Sequence, residues 1–420
     1  MKKLISMFLV LAMIVSMVSV SVAEDDKPFA GQTLTVAVED GGPYAIWYES
    51  IKNRFEEMTG ATVTLVGSTA ESEAAELLSK SGFFDVFTMD GPAIPQYATM
   101  GYLLPLDDMV DKDDLADFYE AAIASCSWDG SLYSLPYLVH GPVMYYRKSL
   151  LEKAGFDHAP TTTAEYLEMA KALNDPANGV YGTLIEGKQS SEAVSHLIDK
   201  IYQFGGMVID DNDPTKIAFN CKGTVDAFTW MMEFFKAQCI PAECASYNNG
   251  DAQNMFLEGS LALCCNWPYM WAMCNDPEYS KVIGDVGVVA QPVTNAVWSW
   301  SFGICAHSKN VELAYEWCKW ATSSEILTEF GQYFINPVTR ASSAEAAVAA
   351  ITDPDDAAVL AAMNQSLAQG VAPQLSTNYD EIRPRIALTL NRICNGTATD
   401  IAAEVAECAE ELQTILDEAY

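Results

Sequence analysis

Thr33-Leu34-Thr35-Val36-Ala37-Val38 opens the part of the chain that decides the fold: an alternating, β-branched run that reads as a strand. A glycine turn follows at Gly41-Gly42-Pro43, then a helical spacing through Ile46, Ile51, Phe55 and Met58 that stops at Thr59-Gly60. A second strand, Thr62 to Val66, comes at once, then a helix from Glu71 to Ser79. A third apolar run, Asp85-Val86-Phe87-Thr88-Met89, ends in Asp90-Gly91-Pro92. Strand, helix, strand, helix, strand with short connections predicts a parallel sheet covered by helices, with ligand-binding groups where the strands end.

A second such region begins near Val143. It runs through helices at Lys148 to Ala154 and Thr163 to Leu173, an apolar run from Val180 to Ile185, and a helix from Ser190 to Phe204. Lys222 to Gln238 and Gln253 to Glu258 read as helices, Leu261 to Cys265 as a buried strand, and Val286 to Val289 and Phe302 to Ala306 as two more. From Val311 onward the pattern is almost entirely helical, the Ala-rich segment Ala341 to Ala350 being a strong helix former. The chain of 420 residues exceeds the roughly 250 to 300 that one hydrophobic core holds, so two lobes are expected.

Upstream, Met1-Lys2-Lys3, the apolar run Leu4 to Val20 and the small residues Ser21-Val22-Ala23 before Glu24-Asp25-Asp26 have the order of a secretory signal peptide cut after Ala23. The expected product is exported, periplasmic or secreted, and soluble. With no cysteine before Cys126, an N-terminal lipid anchor is not expected. Acidic residues outnumber basic ones, 57 to 23, for a formal charge of −34. Such a surface repels phosphate backbones and anionic headgroups, which argues against nucleic acid and membrane surfaces as partners.

Eleven cysteines cannot all pair within one chain, and their scatter through apolar surroundings marks most of them as small buried hydrophobes. No CxxC and no HExxH occurs, His140, His158, His196 and His307 stand far apart, and no metal or cofactor is called for. Asp211-Asn212-Asp213 fails as a calcium loop at Thr215 and Lys216. Asp107, Asp108, Asp111, Asp113, Asp114 and Asp117 read as a solvated acidic face. There is no phosphate loop, no dinucleotide fingerprint and no nucleophile elbow.

Aromatic residues carry the positive signal, because a sugar ring packs an apolar face on Trp or Tyr while its hydroxyls need planar polar partners. Tyr44 and Trp47 follow the first strand and Asp90 ends the third. Asn266-Trp267-Pro268-Tyr269-Met270-Trp271 follows the strand Leu261 to Cys265, and Trp298-Ser299-Trp300 precedes another.

Several segments, in order, resemble the family 1 extracellular solute-binding proteins, the maltose-binding-protein-like class serving carbohydrate importers. They are Phe84 to Asp90 with Tyr102 to Asp107; Tyr133 to Tyr137 with Met144 to Lys148; and Phe256 to Ala262 running into Asn266 to Tyr269. Ala314 to Glu325 and Asn336-Pro337-Val338-Thr339-Arg340 complete the set. The resemblance implies an α/β, two-lobe periplasmic-binding-protein-like fold of type II, each lobe a mixed sheet covered by helices and hinged by crossing segments. It implies lobe 1 from residues 24–139 plus about 285–340 and lobe 2 from 140–284 plus about 341–420, with residues 1–23 as the leader. It also implies a non-catalytic monomer that binds a mono- or oligosaccharide between the lobes and passes it to the permease of an ATP-binding-cassette importer.

By the same resemblance Asp90 accepts hydrogen bonds from sugar hydroxyls, and Tyr269 and Trp300 supply aromatic platforms. Arg340 stands near a crossing, and His140 occupies a place where some relatives carry a glutamate facing the cleft. Tyr44, Trp47, Tyr137, Trp267, Trp271 and Trp298 complete the expected ligand-binding set. Two rival readings are a non-sugar cargo such as a polyamine or metal chelate, and a secreted glycoside hydrolase. The latter requires a carboxyl pair that is not identifiable in the sequence.

Overall fold

A computed structural model of the chain describes residues 27–39, 44–68, 70–291 and 296–418. The signal-peptide reading and the turn at Gly41-Gly42-Pro43 lie outside these residues.

Twelve strands are present among the described residues: β1 Thr33–Glu39, β2 Thr62–Ser68, β3 Val86–Asp90, β4 Ser127–Trp128, β5 Ser131–Leu132, β6 Ser134–His140, β7 Val143–Arg147, β8 Ile209–Asp210, β9 Asp213–Ile217, β10 Leu263–Asn266, β11 Val286–Val289 and β12 Trp298–Ile304. The first lobe is built on a five-stranded sheet in the order β2-β1-β3-β12-β6. β1 runs parallel to β2 and β3, whereas β12 is antiparallel to both β3 and β6. The helix Ala45–Thr59 buries Trp47, Tyr48, Ile51 and Phe55 against this sheet. It stops at Gly60, whose φ of 75° is left-handed and whose amide bonds the Glu56 carbonyl at 2.9 Å. A β-carbon there would also meet Lys27 Cβ at 2.8 Å.

The second lobe has the antiparallel sheet β10-β7-β11. The apolar run at Val180 to Ile185 lies beside it in parallel, joined through the Tyr181–Leu261 bridge and backbone bonds of Tyr181 and Gly182 to residues 260–263. Gly182 is pressed so closely on the helix Thr163–Leu173 that a β-carbon would stand 1.9 Å from the Ala170 carbonyl. The helices Ser191–Gln203, Lys222–Lys236, Tyr379–Cys394 and Ile401–Asp417 bury their apolar faces in this lobe's core.

The chain crosses between lobes at Gly141-Pro142, where β6 of one sheet gives way to β7 of the other. The second crossing comes later than about residue 285: β11 hydrogen-bonds to β7, so Val286–Val289 belongs to the second lobe and the passage falls between it and β12. The return to the second lobe also comes later than residue 340. The helix Ala341–Ala350 packs on the helix Ser324–Phe334 of the first lobe, its small side chains letting Ala347 come within 3.1 Å of where a β-carbon on Gly331 would be. Only with the helix Pro354–Ala368 do Val359 and Met363 join the second lobe's apolar packing.

One further expectation changes and one holds. Trp298-Ser299-Trp300 does not precede a strand but opens β12 itself, pairing with His140, Val139 and Leu138 of β6, with Ser299 fully buried. All eleven cysteines are free thiols, and only Cys221 and Cys265 are less than buried.

Candidate functional site

Strand register builds one wall of the cleft. In β12, Trp300 pairs with Asp90 of β3 on one side and Leu138 of β6 on the other, while Trp298 pairs with His140. Residues directly opposite one another in neighbouring strands face the same side, as do residues two apart in one strand. A single sheet face therefore presents Asp90, Leu138, His140, Trp298 and Trp300, and all five line a cavity of about 530 Å³ between the lobes. Tyr44, at the entry to the helix Ala45–Thr59, joins them; its hydroxyl accepts from Asn336 Nδ2 at 2.7 Å and its ring packs on Phe330 and Phe334.

The second lobe supplies the facing wall. Trp267 and Tyr269 follow β10 in a loop held from behind: Asn266 Oδ1 accepts from the Trp267 amide at 2.7 Å, and the Tyr145 hydroxyl reaches the Trp267 and Pro268 carbonyls at 2.8 and 3.0 Å. The Tyr269 hydroxyl donates to Gln253 at 2.8 Å. A capping box between Asn248 and Asp251 starts the helix that places Asn249 at the cavity. Ser191, Glu192 and Ser195 come from the first turns of the helix Ser191–Gln203, and Arg383 from the helix Tyr379–Cys394.

Three contacts join the walls. The His140 ring stacks on Trp267, with centroids 4.8 Å apart. Trp298 meets Tyr379 at 6.4 Å, and Arg383 Nη1 lies 3.9 Å from Asp90 Oδ2. Burial drives the His140 pKa down to about 4, so the ring is neutral at pH 7, and nearby His196 pushes the same way. Burial raises Asp90 above the ordinary carboxyl range; Arg383 draws it back and Asp380 opposes Arg383. Neither His140 Nδ1 nor Trp298 Nε1, both buried, has a protein partner among the described residues.

A family model described as bacterial extracellular solute-binding protein matches residues 39–327. The chain belongs to that family. Among curated relatives of this solute-binding protein is a probable ABC transporter-binding protein of Deinococcus radiodurans. It is 26% identical over 310 residues, which cover 70% of this chain and 72% of the relative. A mannitol-binding protein of Pseudomonas aeruginosa is 27% identical over 282 residues, 64% of each chain. Among solved structures, a solute-binding protein of Agrobacterium radiobacter in complex with ribitol is 27% identical with a TM-score of 0.77, covering 93% of this chain and 100% of that one. One from Thermotoga lettingae bound with α-D-tagatose has a TM-score of 0.80 at 20% identity, covering 92% and 100%, and shows the shared fold. The family is non-catalytic, so the hydrolase reading falls.

Within this solute-binding protein the cleft brings together Tyr44, Asp90, His140, Trp267, Tyr269, Trp298 and Trp300. Four expected residues lie elsewhere. Trp47 and Tyr137 stack on each other inside the first lobe, centroids 5.2 Å apart, with the Tyr137 hydroxyl 2.7 Å from that of Tyr48. Trp271 is buried beneath the second lobe's loop and donates to Asp356 at 2.8 Å. Arg340 is a structural cation, gripped by both carboxylate oxygens of Asp114 at 2.8 and 2.9 Å, bonded to the Thr322 carbonyl at 2.7 Å, and lying over the Phe118 ring. Asp114 and Asp117 are thereby more than a solvated face.

Arg383, Glu192, Ser191, Ser195, Asn249 and Met273 line the cavity and were not anticipated. For Arg383 a signal existed: Asp380 stands three residues before it, the spacing of a helical ion pair, beside Tyr379.

Proposed function

We propose that this solute-binding protein captures a saccharide or sugar alcohol between its lobes and delivers it to the transmembrane permease of an ATP-binding-cassette importer. The carrying observation is the register of β12, which sets two indoles beside a carboxylate and an imidazole on one wall, facing Trp267 and Tyr269 on the other. Indole and phenol rings offer apolar platforms to the C–H faces of a polyhydroxylated solute, and Asp90, Asn249, Ser195 and Arg383 match its hydroxyls. The mannitol- and ribitol-binding relatives point the same way. Export through the leader at residues 1–23, cut after Ala23, places the protein where it meets the solute, as a monomer that works through lobe closure. A ligand preferring the closed arrangement shifts the population toward it.

The test is a thermal-shift and calorimetric panel of monosaccharides, linear sugar alcohols, oligosaccharides and polyamines. A saturable shift with a sugar or sugar alcohol, recovered chemically unchanged, is the expected result. Binding confined to polyamines, or to nothing in the panel, would overturn the reading.

A further inference from the structure

Arg383 is the one cation among the described residues lining the cavity, and its guanidinium is already engaged on two sides. Nη2 donates to Asp380 Oδ1 at 2.7 Å, Nη1 approaches Asp90 Oδ2 of the other lobe at 3.9 Å, and the Tyr379 ring lies 5.5 Å from Cζ. Asp380 also borders an adjoining hollow of about 350 Å³ that shares Ser191 and Arg383 with the main cavity. Two carboxylates on one guanidinium leave a formal surplus of negative charge, and Glu192 adds to it. His140, neutral at pH 7, does nothing to offset it.

A free guanidinium fork in a binding cleft is a receptor for carboxylate or phosphate. Here Asp380 holds one Nη2 hydrogen and Asp380 and Asp90 together offset the cation, so an anionic ligand reaching the fork faces two carboxylates whose charge a single guanidinium does not cancel. We infer that the Asp380–Arg383–Asp90 triad is a charge filter: the cleft accepts uncharged polyhydroxylated solutes and refuses the corresponding sugar acids, with Asp380 as the specificity-determining residue. This deepens the proposed function and rests on it. Like charges about 5 Å apart at an effective dielectric of about 20 separate the affinities of a neutral solute and its acid by roughly a hundredfold.

The experiment measures affinities by calorimetry for matched pairs: ribitol and ribonate, mannitol and mannonate, maltose and maltobionate. In the wild-type protein one neutral member binds and its acid binds about a hundredfold more weakly, with the acid's affinity rising as salt is added. In Asp380→Asn that ratio falls about tenfold because Arg383 is released. In the double variant Asp380→Asn/Arg383→Gln the acid is refused again. Near-ultraviolet circular dichroism checks that both variants are folded, and the salt dependence of the wild type tests the filter even if one is not. An acid binding the wild type as tightly as its neutral partner overturns the filter while leaving the proposed function standing. An unchanged ratio in folded Asp380→Asn removes Asp380 from the role. Failure of every neutral and acidic member to bind overturns the proposed function and the filter together.

Discussion

The His140 imidazole lies along the Trp267 indole, ring centroids 4.8 Å apart and planes inclined by 28°, so a first-lobe strand end stacks on the second lobe's aromatic loop. Burial, with nearby His196, keeps that ring uncharged. With the folded pKa near 4 against an ordinary 6.5, the unfolded chain takes up the proton first as pH falls. The contribution of His140 is therefore fully present above about pH 6.5 and lost progressively as pH falls toward 4, amounting to up to about 3 kcal/mol. Urea unfolding from about pH 7 to about pH 4.5 should show the wild type losing stability relative to His140→Gln. Parallel curves for the two proteins would refute a buried neutral imidazole.

Trp300 and Tyr269 are half-buried, one on each wall, and neither is central to its lobe's core. Trp300→Ala and Tyr269→Ala should each weaken binding of whichever sugar or sugar alcohol the panel identifies by at least about 2 kcal/mol while the free proteins stay folded. Trp298→Ala should differ, because Trp298 is only 7% exposed and packs in the second lobe's core. It should cost about 3 kcal/mol or more in stability as well. Calorimetry paired with thermal melts separates the two patterns, and normal binding by both Trp300→Ala and Tyr269→Ala would remove the platforms from the site.

The β-α-β-α-β opening was legible because each element carries its own periodicity, and the aromatic loop after β10 because it follows a short buried strand. The start of β12 was not: Ser299 reads as a loop residue, yet it is fully buried beside Cys126, 173 positions away. The two arginines show the same limit. Arg340 lies in the segment that resembles the family and belongs to an ion pair with Asp114, 226 positions away, whereas Arg383 in a plain helical stretch reaches the cleft. Local pattern reports which face of an element is apolar. It does not report which distant carboxylate a cation meets.

Arg340 offers a direct check on that reassignment. Its side chain is 3% exposed, but Asp114 and Asp117 are partly open to water, so removing the cation leaves carboxylates that can be rehydrated. Arg340→Met should therefore destabilise by about 2 to 3 kcal/mol, below the usual cost of breaking a fully buried pair. Ligand affinity, measured well below the melting temperature, should be unchanged. A variant of normal stability with weakened binding would return Arg340 to the cleft.

Glu73 gives a pH response of opposite sign to that of His140. Its side chain is buried on the helix Ala70–Ser79, where Ser68 Oγ donates to it at 2.6 Å. Burial raises its pKa to about 7; the Ser68 bond pulls the other way, and the Asp90 charge adds to the rise. Between about pH 4.5 and 7 the folded protein holds a proton that the unfolded chain has released, so stability falls as pH rises through that window. The shift corresponds to up to about 3 kcal/mol of destabilisation, reached in full above about pH 7. Glu73→Gln keeps an oxygen for Ser68 and removes the ionisation. The variant should match the wild type near pH 4.5 and exceed it in stability near pH 8. Urea unfolding at the two pH values decides the matter: a constant difference between the proteins would mean that Glu73 ionises as readily in the folded protein as in the unfolded chain.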